Sequence, residues 1–216
     1  MEKQEKIDLF RKLGSKDYLA PKYPVLVNIE NAKYLTIEGQ GAPGGEEFAK
    51  KIGALYSTAY TLKMTRKFSG GPDYVVGKLE AQWWAAGEKP DFGLVPPEEW
   101  KWRLLIRVPD FVNEEELAHG VSVLLEKGKD PEVRQVQLET LGEGECVQML
   151  HVGPYDKEPE SIARMKAFAG EKGYAFRGRH HEIYLSDPRR VPPERLKTIL
   201  RMPVALAKQP WLSSRG

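Results

Sequence analysis

The sequence predicts an α+β fold, antiparallel sheets flanked by helices, assembled from two similar strand, helix, strand, strand units about a pseudo-twofold axis. Three observations lead there. Short stretches rich in β-branched and aromatic residues alternate with stretches of helical periodicity. Their order in the first half recurs in the second. The closing strands also match in wording: LLIRVP at 104–109 follows the connection VPPEE, and TILRMP at 198–203 follows VPPER. A duplication with a period of roughly 100 residues is too long for a solenoid, so two paired halves with a groove at their axis are expected.

In the first half, strands are predicted at 25–29 and 34–38, with a glycine-rich turn at 39–45. From Glu46 the apolar residues Phe48, Ile52, Leu55, Ala59 and Leu62 recur at steps of four and three, one buried helix face with acids first and bases last. SGGP at 69–72 ends that helix. Strands at 74–84 and 100–108 follow, joined by a connection bearing Gly87, Pro90, Gly93, Pro96 and Pro97. Asn113 caps a linking helix over 113–128. The second half reads as strands at 133–141 and 145–152, a turn at Gly153-Pro154, a helix carrying Ile162, Met165 and Ala169, and strands at 180–186 and 196–202. The units then span about 23–112 and about 132–206, after an N-terminal arm of residues 1–22.

Composition narrows the function. Among 216 residues, 33 Lys and Arg balance 31 Asp and Glu, so the net charge of +2 offers no electrostatic case for nucleic acid. The N-terminus lacks the apolar run of a signal peptide, and nothing approaches the roughly 18 apolar residues of a membrane span. A cytoplasmic protein is expected, without membrane partners. Cys146 is the single cysteine, which rules out an internal disulfide and a thiolate metal cage. Five Trp and nine Tyr are many for so polar a chain.

Gly39-x-Gly41-x-x-Gly44 stands between a strand and a helix as a dinucleotide fingerprint would, but no acid lies between Glu47 and Asp73 to hold a ribose. A turn is the better account, and no cofactor is expected. His180, His181 and Glu182 are adjacent on a strand, where neighbours point to opposite faces, so no metal site is expected. His119 and His151 read as surface or satisfied core imidazoles. No GxSxG, cysteine and histidine signature or P-loop is present.

The informative segment is HHEIYLSDP at 180–188. Ile183 and Leu185 share one face, expected to meet a helix, while Glu182 and Tyr184 share the other, toward solvent or the groove. Glu80, Gln82 and Trp84 are expected on the equivalent face of the matching strand, and Trp100 and Trp102 share a face. A carboxylate among rings could hold a cation or, with its pKa raised by desolvation, act as a general base or acid. Tyr56 and Tyr60, four apart, flank the buried face of the first long helix, and Tyr155 stands at a turn where it could cap backbone or enter a pocket.

The run HVGPYDKEPESIARMKAFAGEKGY, then HHEIYLSDPRR, then a proline connection and TILRMPV, resembles the GyrI-like small-molecule-binding family from Tyr23 onward. The resemblance implies tandem SH2-like βαββ motifs around a central ligand groove, and a pocket glutamate at Glu182. Multidrug-sensing regulators of that kind also carry a helix-turn-helix, for which the about 22 residues before the first strand are too few, so a stand-alone domain without direct nucleic-acid binding is expected. Stand-alone members similar to this chain are associated with hydrolysis of cyclopropane-bearing alkylating compounds. That likeness implies a detoxifying hydrolase with Glu182 and Tyr184 as catalytic residues and Trp84, Trp102, Tyr155, Tyr56 and Tyr60 lining the ligand. A sequestering or multidrug-binding module is the alternative, a protein-binding inhibitor a third, and a homodimer is left open.

Overall fold

The computed structural model describes residues 6–12, 17–18, 20–85 and 95–207. The Gly87, Pro90 and Gly93 part of the connection noted above lies outside the described residues. The helices are α1 (Leu9–Lys12), α2 (Glu46–Phe68), α3 (Glu114–Glu126) and α4 (Glu158–Glu171). Gly41 and Gly44 take positive φ in the turn before α2, a backbone conformation that side chains disfavour. Asn113 and Glu116 form a reciprocal capping box that starts α3, with the Glu116 N–H donating to the asparagine side chain at 2.9 Å.

Among the described residues nine strands follow the order of the chain: β1 (Val25–Ile29), β2 (Ala32–Gln40), β3 (Leu79–Trp84), β4 (Lys101–Arg107), β5 (Gln137–Leu141), β6 (Gly144–Val152), β7 (Tyr174–Phe176), β8 (His180–Tyr184) and β9 (Lys197–Leu206). The architecture is mixed helix and antiparallel sheet. The strands join in one continuous sheet, ordered β1-β6-β9-β8-β3-β4-β2-β5, with β7 paired to the end of β9. Strands β1 and β2 are neighbours in sequence but not in space, because β1 pairs with β6 and β2 with β5. Two strands start later than predicted. Residues 74–78 are spent on a parallel bridge from Tyr74 to Ile7 in the arm, and Pro131–Gln135 forms a 3-10 turn capped by Asp130.

Register explains where the core sits. On one face the row across six strands reads Met149, Leu200, Glu182, Ala81, Leu104 and Ile37. Five of the six are apolar and buried under helices: α2 covers the β2, β3 and β4 end around Leu35, Ile37, Leu55 and Leu104, and α4 covers the β6 and β9 end around Met149, Met165 and Leu200. The adjoining row on the other face reads Gln148, Arg201, His181, Gln82, Arg103 and Glu38, every member polar. The N-terminal arm crosses that face. Tyr18 packs with Ile183 and Ile199, Phe10 stacks near Tyr18, and Pro21 accepts the Leu150 N–H.

One expectation is therefore corrected. Ile183 and Leu185 pack with the arm, including Phe10 of the one-turn α1, and not under a long helix, and Glu182 and Tyr184 lie on the side of α2 and α4. Directly opposite residues of paired strands share a face, so Ala81 and Trp83, level with Glu182 and His180, stand beside them, while Glu80, Gln82 and Trp84 face the arm side. Polarity suggested the wrong partners because the arm-side row is itself polar and, from Gln148 to Gln82, buried.

Candidate functional site

Glu182 sits where the two helix-covered cores meet, with Ala81 of one on its left and Leu200 of the other on its right. It is 7% exposed. A carboxylate so buried survives only if its oxygens are satisfied. The Tyr184 hydroxyl donates to Oε2 at 2.6 Å, and His180 Nε2 stands 3.2 Å from Oε1. All three side chains belong to β8 at alternate positions, so one strand delivers them to one face. Burial pushes the Glu182 carboxyl up, yet His180 and the Tyr184 hydrogen bond together outweigh it and hold the acid below its ordinary range. The same burial and the neighbouring carboxylate drive the Tyr184 phenol well up.

Sequence reasoning considered His180 only as a metal ligand and missed two further members. Glu158, the first residue of α4, is 5% exposed and turned inward onto Glu182. Burial first, then the Glu182 charge and their shared hydrogen bond, push its carboxyl up to about 10. An acid in a first helical turn ordinarily faces solvent, so nothing in KEPES marks this one as buried. Trp83 is the second. It lies level with His180, stacks on Phe48 at 5.7 Å and meets Trp100 edge-on. Alternation through LEAQWW does place it with Leu79 and Ala81 on the helix side, and that signal was available. Donor atoms of Glu158, His180 and Glu182 come within 4.8 Å of one another, so either a proton or a small cation could offset the paired carboxyls.

The predicted ligand residues divide. Tyr155 comes into the site: its ring meets Tyr184 edge-on at 6.0 Å, it is half-exposed at the rim, and burial together with Glu158 and Glu182 pushes its phenol up to about 12. Tyr56 reaches the backbone of Leu79, at the Tyr184 end of the strand pair, and Tyr60 stacks on it from the exposed side. Trp102 shares the face but is sealed in the core, edge-on to Phe48 at 5.0 Å and donating its indole N–H to Gly41 O at 3.1 Å. Trp84 is on the opposite face, where the Arg179 guanidinium lies 3.6 Å from its ring centre. His151 is a satisfied core imidazole, bonded to Ser161 and to Pro154 O. A concavity of about 200 Å³ lined by Leu62, Thr65, Glu115, Glu116 and His119 lies between α2 and α3, away from this cluster.

A second buried cluster lies behind β8. His181 faces Glu143 at 2.9 Å and Glu80 at 3.0 Å, and Arg201, 1% exposed, holds Glu143 at 3.1 Å and Gln148 at 2.7 Å. Tyr18 donates to Glu80, and Asp17 pairs with Arg107, so the arm is bolted to this network. Although burial opposes it, the two carboxylates raise the His181 imidazole to about 9, and the cations in turn hold Glu143 down at about 2. This cluster reads as structural.

A buried acid ringed by phenols and indole between two helix-covered cores defines the class as a small-molecule-binding α+β domain. The GyrI-like small molecule binding domain model matches residues 24–205, and the chain belongs to that family. Two solved structures from Listeria innocua are similar over 93% of this chain and 100% of theirs. One is an uncharacterized conserved protein (39% identity, TM-score 0.86), the other a hydrolase encoded by lin2189 (38% identity, TM-score 0.84). The C-terminal domain of EcmrR is alike in fold alone, at 12% identity and TM-score 0.52 over 85% of this chain and 98% of that one. No curated protein matches the chain. Among the described residues no helix is long and apolar enough to cross a membrane.

Proposed function

We propose that this protein binds a flat hydrophobic molecule against the Glu182 cluster and hydrolyses cyclopropane-bearing alkylating compounds there. The observation that carries the reading is Glu182 itself, the one charged member of an otherwise apolar row, buried and kept ionised. Glu182 takes a proton from water as the oxygen attacks the strained ring carbon. The ring C–C bond breaks, and its electron pair moves into the conjugated carbonyl, which becomes a phenolate. Trp83 and Tyr155 supply the ring surfaces for a flat ligand, and Tyr184 orients the base. A positioned base supplies about 100-fold to 10,000-fold, and the strain of the substrate supports the rest. The hydrolase designation of the lin2189 structure points the same way. The mirrored strand order, β5-β2-β4-β3 beside β1-β6-β9-β8, supports reading the chain as tandem SH2-like units meeting at this site.

A carboxylate among rings also suits a cationic aromatic ligand held without turnover, which is the second reading. The test is incubation with a cyclopropylindole compound, followed by mass spectrometry for a product heavier by one water. Hydrolysis predicts many turnovers by wild type, with Glu182→Gln abolishing turnover while retaining the ligand. Recovery of unchanged compound at stoichiometric binding would refute it in favour of sequestration.

A further inference from the structure

The Glu158 carboxyl is unusual for the first turn of a helix. Its Oε1 is fully buried and without a hydrogen-bond partner, while the group as a whole meets Glu182 on β8 and Thr198 on β9. Two carboxyl groups buried with oxygens within 4.8 Å of each other resist ionising together, because burial leaves the second negative charge poorly solvated beside the first. One proton must lie between them. Glu182 has the Tyr184 hydroxyl on Oε2 and the His180 imidazole beside Oε1, both of which favour its carboxylate. Glu158 has an acid for a neighbour and an Oε1 without a hydrogen-bond partner, so the proton belongs on Glu158. A divalent cation in its place would find two carboxylates and a single imidazole among the three donors.

We propose that Glu158 is the site's proton donor, a neutral carboxylic acid that protonates the ligand's carbonyl oxygen as Glu182 takes the proton from water. The inference rests on the hydrolytic reading above. The balance closes. Water loses a proton to Glu182 and its oxygen bonds to the ring carbon; the broken C–C pair arrives on the carbonyl oxygen, which takes the proton from Glu158. The proton now on Glu182 passes across the shared hydrogen bond to Glu158, and the pair returns to its starting state. The substrate class follows: a neutral molecule with a hydrogen-bond-accepting carbonyl conjugated to the strained ring.

The test has two parts. Carboxyl infrared difference spectra of the unliganded protein should show a protonated carboxylic acid at neutral pH that is lost in Glu158→Gln. Absence of that band in wild type, or a stoichiometric divalent metal co-purifying with wild type and not with the variant, would overturn the proposal. In turnover of a cyclopropylindole compound, Glu158→Gln should lower kcat by about 100-fold to 10,000-fold while the Kd for the ring-opened product stays within a few fold. The alkaline limb of the pH–rate profile should disappear. Wild type that turns over beside a variant of unchanged kcat refutes the donor and leaves the hydrolase standing, whereas wild type that never turns over refutes both. The wild-type infrared measurement decides the protonation even if the variant does not fold.

Discussion

The cluster behind β8 makes folding stability depend on pH in a direction that the structure specifies. His181 is fully buried between Glu80 and Glu143, and its imidazole rises to about 9 from an ordinary value of 6.5. A group whose folded pKa is raised contributes stability that is fully present below its unfolded pKa and is lost as pH climbs through the folded one. The window is therefore about 6.5 to 9. The rise is worth on the order of 3 kcal/mol, which for a chain of this size is roughly 6–12 °C in Tm. Three of its neighbours stay out of that window: Glu143 is held at about 2, Arg201 is raised further, and burial pushes Cys146 to about 12. Urea unfolding of wild type and His181→Gln, measured from pH 6 to 10, isolates the effect. Wild type should lose more stability across the window than the variant, which should start lower, with Arg201 and the Tyr18 hydroxyl left to hold Glu143 and Glu80, and keep only the slope that the buried Glu158 proton gives both proteins. Parallel curves, or a wild type that gains stability with rising pH, would refute the imidazolium.

Other expectations are local. Replacing Trp83 by Leu should weaken binding of an aromatic ligand several-fold, and Trp84→Leu should leave it unchanged, because the two indoles stand on opposite faces of β3; equal losses in fluorescence titration would contradict the register. A side chain at Gly39 would put its Cβ 2.2 Å from the Trp102 ring. Gly39→Val should thus cost about 1–3 kcal/mol or more, read as a lowered urea midpoint, and an unchanged midpoint would mean the indole is not sealed there.

Much of the architecture was legible because it depends on neighbours in sequence. The four-and-three spacing from Phe48 to Leu62 is the buried side of α2, and Asn113 caps α3 through its own third residue, as the chain order alone implies. Alternation in HHEIY likewise assigned Glu182 and Tyr184 to one side of β8, a consequence of strand geometry that needs no partner and that also carries His180 there. What lay on each side was a different matter. Only register across six strands puts Glu182 in the row of Met149, Leu200, Ala81, Leu104 and Ile37, and only packing of α4 carries Glu158 onto it from 24 positions earlier in the chain. Periodicity says that two faces exist, but which of them is covered by helices and which by the arm is decided by contacts between residues far apart, and with them the identity of the tryptophan that stands at the acid.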